Sequence, residues 1–178
     1  MKNRLLLAIA AVLFFGASAS AQTAMKIGYA DVDYILSQMP ESKQVESELQ
    51  AHNTQLQNQL QAKYQEYQQK LQAYQQGAAT MVDAVRAEKE TELAQLEQRI
   101  QKFQQDAQAS MQKKTASLME PLYAKIGSMI ETVAKEGGYT HILNGQIGGI
   151  DVVLFADEKY DVSDTVLKKM GITPAPSN

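Results

Sequence analysis

The sequence predicts an α+β protein in which a long antiparallel helical hairpin is inserted between short β-strands. Three observations carry this expectation. Stretches rich in β-branched and aromatic residues lie near the two ends of the exported chain, around 27–32 and 140–157. Between Glu41 and Glu136 the only proline is Pro121 and the only glycines are Gly77 and Gly127. Over that same stretch apolar residues recur at steps of three and four, the spacing of one helix face.

The first 21 residues read as a signal peptide. Lys2 and Arg4 precede the apolar run Leu5–Phe15, and small residues follow up to Ala19-Ser20-Ala21, the order of an n-region, an h-region and a cleavage site. The run is shorter than the about 20 residues that a membrane-spanning helix needs. The expected mature chain begins at Gln22, after export across the inner membrane. Without Lys2 and Arg4 it carries 20 acidic against 15 basic residues. It shows no basic stripe of the kind that binds nucleic acid. Cysteine is absent, which excludes disulfides, thiolate chemistry and the usual thioether lipid anchor.

Residues 22–40 form the expected N-terminal part of a β-body. "KIGYADVDYIL" (26–36) reads as a short strand followed by a turn or short helix from Tyr34 to Met39. Pro40 then stands where a helix can begin, with Glu41 in its first turn.

Two helices are expected, about 41–76 and 81–136, with the tip of the hairpin at about 77–81. Gly77 can end the first helix, and Thr80 with Asp83 has the spacing of a capping box for the second. Val45, Leu56 and Tyr67 lie eleven apart, as do Leu49, Leu60 and Leu71. So do Leu96, Ala107, Leu118 and Met129, and likewise Ile100, Met111, Leu122 and Val133. An eleven-residue repeat means about 3.67 residues per turn and a nearly straight seam. The arm is therefore assigned to 41–110, and 111–171 to the C-terminal part of the body. The longer second helix carries its surplus from about Met111 onward into that body, with Pro121 as a candidate kink. Between residues 44 and 112 stand 19 glutamines, so the arm has one narrow seam and otherwise amphipathic, weakly charged faces.

Strands return after Gly137-Gly138, around Thr140–Leu143 and again over "DVVLFAD" (151–157), joined by the turn-forming "NGQIGGID". "YDVSDTVLKKMG" reads as a short helix capped by Ser163 and closed by Gly171, and 172–178 as a flexible tail. Three short strands cannot make a stable core by themselves. The economical solution is a homo-oligomer sharing one body, with Ile27, Tyr29, Val32, Ile142, Leu143, Val153 and Phe155 as candidates for its core.

Catalytic chemistry is not indicated, and the chain is not expected to be an enzyme. His52 and His141 lack partners at ligand spacing, "GQIGG" has neither the helix nor the lysine of a phosphate loop, and no metal or cofactor set is evident. Glu88, Glu90 and Glu92 alternate with Lys89 as a solvated helix face would.

From the strand "KIGYADVDYIL" through the glutamine-rich hairpin to "GGYTHILNG" and "VVLFADEKYDVSDTVLKKMG", the mature chain resembles the Skp/OmpH family of periplasmic chaperones. It is most similar to the versions found in Bacteroidetes-type bacteria. The resemblance implies a jellyfish-like homotrimer: a small β-body holds three copies, and three helical arms enclose unfolded outer-membrane β-barrel proteins without ATP, metal or cofactor. This chain departs from the best-known members in being acidic. Where some members have an arginine-rich stretch proposed to meet lipopolysaccharide, it has Ala107, Gln108, Ala109 and Ser110. A basic site for lipopolysaccharide or peripheral membrane contact is not evident.

For such a holdase, Tyr64, Tyr67, Tyr74, Met81, Val82, Val85, Phe103 and Met111 are the candidate client-binding residues of the arm. Tyrosine offers wide, rigid contact area with a wet end, and methionine adapts to varied surfaces. Tyr67 lies on the eleven-residue seam, where sealing the hairpin is the simpler role; Tyr64 and Tyr74 are open to either. An alternative function, a structural or adaptor element of an envelope assembly, would ordinarily come with larger β-domains and a membrane anchor.

Overall fold

The computed structural model describes residues 25–174; the expected signal peptide and the end of the expected tail lie outside the described residues. In chain order stand β1 (Ile27–Ala30), α1 (Val32–Gln38), α2 (Pro40–Gly77), α3 (Asp83–Gly137), β2 (His141–Asn144), β3 (Gln146–Ile147), β4 (Ile150–Asp151) and α4 (Ser163–Lys169). A 3-10 turn at Glu158–Tyr160 precedes α4. The α+β arrangement holds: long helices dominate and the strands are few and short.

β1 and β2 pair in parallel, Ile27 opposite His141 and Ala30 opposite Asn144. On the other edge of β1, Tyr29 bridges Asp161. The first and last elements of the described residues therefore meet in one small body. β3 and β4 form a tight hairpin through Gly148 and Gly149, whose φ of 60° and 79° suit the turn that matches strand twist.

Val32, expected in a strand, is the first residue of α1. The cause is Asp31, whose carboxylate accepts from the Tyr34 backbone N–H at 2.9 Å and caps the helix. Pro40 opens α2 as expected. The expected capping box at the tip does not form. The residue before α3 is Val82, without a side-chain cap, and the Thr80 hydroxyl donates instead to the Gly77 carbonyl at 3.0 Å. The chain climbs away from α2 over Thr80, so that hydroxyl closes the first helix rather than opening the second. α3 runs unbroken through Pro121 to Gly137 and is capped by Gly138, whose φ is +64°.

The hairpin stays in antiparallel register over its whole length. Glu41 pairs with Lys125, Glu48 with Lys114 and Lys70 with Glu92. Helices that share a tip remain matched until the shorter one ends. The surplus of α3 therefore begins after Lys125, not near Met111, and its last three turns enter the body. There Ile126 and Val133 join Ile35, Met39, Val162, Val166 and Leu167 in the core, which Val45 and Leu122 extend to the arm's root. Burying each such side chain contributes about 1.5–3 kcal/mol. The body is thus held by helices, and the strands clip its edge.

Two further expectations change at the C-terminal end. Of the expected 151–157 strand only Asp151 is in one, as the last residue of β4, and 152–157 form none. A strand needs a neighbour along its length, and here only its first residues find one, the Val152 and Val153 N–H groups donating to the Gly145 carbonyl at 2.9 and 3.2 Å. Ser163 is not the helix cap. It is the first residue of α4, and its hydroxyl accepts from the Asp31 backbone N–H at 2.8 Å. Asp161 does the local work, its carboxylate accepting from the Ser163 N–H at 2.7 Å. Gly171, with φ of +77°, closes the helix as expected.

Candidate functional surfaces of the arm and the body

The seam of the hairpin has two unlike edges. On α2, Glu41, His52, Lys63 and Tyr74 recur at eleven-residue spacing; on α3, Lys125, Lys114, Phe103 and Glu92 do the same. Eleven residues are three turns at this pitch, so each set falls on one line. Rungs cross the seam between these lines and residues beside them. Besides the ion pairs above, His52 and Ser110 share a hydrogen bond of 2.9 Å. The Lys63 ammonium lies 5.2 Å from the Phe103 ring centre, and nearer the tip the Tyr74 hydroxyl reaches across the seam to donate to Glu90 at 2.5 Å. This edge is laced shut.

One position further along a helix turns about 100° around it, so Ser42, Asn53 and Tyr64 face the other edge. Here the seam is open. Leu36, Leu49, Met111 and Met119 line a cleft of about 510 Å³ at the arm's root. Leu56, Leu60, Phe103 and Met111 line a second of about 640 Å³. Asn53 and Met111 border both, making one continuous groove. At its distal end the Gln104 amide donates to the Tyr64 hydroxyl at 2.9 Å.

The candidate client-binding residues therefore separate into three groups. Tyr67 and Tyr74 are half-buried rungs, Tyr67 donating to Glu97 at 2.6 Å. Tyr64 and Met111 belong to the open groove, and Phe103 spans the seam, lining the groove while its ring also meets Lys63. Met81, Val82 and Val85 stand at the tip, Met81 half-buried against Gly77 and the two valines exposed. Leu36, Leu49 and Met119 were missed as groove residues. The eleven-residue spacing of Leu49 and Leu60 marked the seam, but not which of its edges would stay open.

Charge on the arm follows the rungs. Hydrogen bonds from Lys125, Lys114 and Lys70 hold the carboxyls of Glu41, Glu48 and Glu92 below their usual range. Donation to Glu97 and Glu90 pushes the Tyr67 and Tyr74 hydroxyls above theirs.

On the body, Ile27, Tyr29, Leu143, Val153 and Phe155 converge on one cleft of about 810 Å³, which Met25 and Tyr160 complete. Val32 and Ile142 turn the other way and pack on the chain's own core. Leu154 and Phe155 are each 91% exposed, and Ile147, Ile150 and Val152 are exposed beside them. Among the described residues no helix is long and apolar enough to cross a membrane.

A family model described as outer membrane protein (OmpH-like) matches residues 26–170. The chain belongs to the OmpH-like family. It is also 31% identical over 168 residues to the chaperone protein Skp of Yersinia enterocolitica, a match spanning 89% of this chain and 93% of that one. The crystal structure of an OmpH-like protein from Caulobacter crescentus CB15 superposes with a TM-score of 0.70, covering 86% of this chain and 89% of its own. At 13% identity that likeness speaks for the fold alone. The OmpH-like match takes in β1 and α4 as well as the arm, so it covers the joint between the chain's ends and not merely a helical middle that coiled coils imitate.

Proposed function

We propose that this OmpH-like chain is an ATP-independent holdase chaperone of the periplasm, which keeps unfolded outer-membrane β-barrel proteins from aggregating in transit. The observation that carries the reading is a family match that spans body and arm together, on a fold whose one long arm buries little of its own surface. α2 alone is about 57 Å long at 1.5 Å per residue, and its outer faces are mostly amides. The exposed Leu154 and Phe155 beside the cleft at Ile27 and Leu143 support a body shared between copies, a homotrimer by the family resemblance. Export rests on the signal peptide expected to be cleaved after Ala21. No cofactor, nucleotide or nucleic acid enters this reading, and no reaction is catalysed.

Light scattering tests it. The mature protein, without nucleotide, should suppress aggregation of a β-barrel protein diluted from urea, at near one oligomer per client. Unchanged scattering at several-fold excess would refute the holdase reading and favour an adaptor role.

A further inference from the structure

We propose that the open groove of the arm, from Leu36 at the root to Tyr64, binds an extended apolar segment of the client with a basic residue of that segment at the root. This rests on the holdase reading and assigns it to one edge of the hairpin. The other edge is crossed by its own rungs, from Glu41–Lys125 to Lys70–Glu92.

Size, lining and charge select the occupant. Between Ser42 and Leu60 the groove runs about 27 Å along α2 at 1.5 Å per residue, the length of about eight residues of extended chain. An alternating segment, apolar on one side and polar on the other, is what a β-barrel strand offers before it folds. Its apolar side meets Leu49, Leu60, Met111 and Met119, and methionine adapts to side chains of different shape. The exposed Asn53, Gln57 and Gln108 on the rim present donors and acceptors to backbone groups that have no partner in an unfolded client. No basic side chain lines either cleft, and Asp33 and Glu46 both stand at the root. The field is therefore neutral along the arm and negative at the body end, which complements an apolar strand flanked by lysine or arginine. A second copy's arm is a poorer occupant, because its helices have their backbone groups already paired and its own root carries the same Asp33 and Glu46.

Gln57 and Gln59 provide the test, since both are exposed and lie two residues apart, one on the groove and one on the laced side. A photo-crosslinking residue is placed at each in the full mature protein, with a urea-diluted β-barrel protein as client. Capture at Gln57 should exceed capture at Gln59 severalfold. Equal capture, or crosslinks from Gln57 to a second copy alone, overturns the groove assignment while aggregation is still suppressed. Failure of the unmodified protein to suppress aggregation overturns the holdase reading itself. Two ten-residue alternating peptides, ending in lysine or in glutamate, read the polarity. The lysine peptide should bind about threefold tighter at low salt, as exposed charge pairs allow, and the D33N/E46Q variant should lose that preference. Equal binding of the two peptides to the unmodified protein overturns the basic-end assignment.

Discussion

The Ser163 hydroxyl accepts a hydrogen bond from the backbone N–H of Asp31, 132 residues earlier, at 2.8 Å. Asp31 in turn caps α1, so this contact ties the start of the first body helix to the start of the last. Ser163 is buried, and water is poorly placed to replace it. Ser163→Ala should cost about 1–3 kcal/mol, the penalty of leaving a buried donor unpaired, read by urea denaturation. A loss no larger than that of Ser117→Ala, on the exposed face of α3, would show the joint to be idle.

Ile126 stands where α3 leaves the arm and enters the body, and it is 1% exposed. Ile126→Ala should destabilise the protein by about 2–5 kcal/mol, through lost burial and the cavity left behind. Thermal unfolding followed by circular dichroism measures this.

Two glycines at the end of α3 should respond in opposite directions. Gly127 is inside the helix with nothing within 4 Å of an added Cβ, so Gly127→Ala should stabilise by about 0.5–1 kcal/mol. Gly138 has equal space but a φ of +64°, and Gly138→Ala should cost about 1–2 kcal/mol. If both shift Tm the same way, backbone conformation is not what separates them.

The rungs make the arm sensitive to pH on both sides. The Glu41, Glu48 and Glu92 carboxyls lie below their ordinary 4.5. Their contribution is full above that value and is lost as pH falls through the depressed ones. The Tyr67 and Tyr74 hydroxyls lie above their ordinary 10.0, so their contribution is full below 10 and is lost as pH climbs through the raised values. Tm should be flat from about pH 5 to about pH 9.5 and fall on either side. The Y67F/Y74F double variant should lose part of the alkaline fall while protecting client as before. An unaltered alkaline fall in that variant would separate it from these hydroxyls.

A shared body makes a prediction about mass. The L154D/F155D variant should appear as a single chain in native mass spectrometry, with helicity intact and client protection lost. Retention of the oligomer would place the contact elsewhere on the body.

The arm was the most legible part of the sequence. Its pattern repeats every eleven residues, so each misleading position is outvoted by its counterparts one repeat away, and Val45, Leu96, Ile100 and Leu122 are all buried as that pattern requires. The body was less legible because its contacts join residues more than a hundred positions apart. Nothing near Ser163 announces that its hydroxyl serves Asp31. The segment 152–157 has the composition of a strand, but composition cannot supply a neighbouring strand. Tyr67 and Tyr74 were open to two roles because a tyrosine's spacing shows which line of the helix it occupies, not whether a glutamate waits across the seam.

The pairing of Ile27 with His141 also sets an order of assembly. During synthesis the arm can zip from its tip as soon as both helices have emerged, since its contacts begin close in sequence. β1 must wait for more than a hundred later residues before its partner exists. A chain stopped before residue 141 would therefore carry a finished lever on an unfinished socket, so the last residues made decide whether the molecule can be mounted at all.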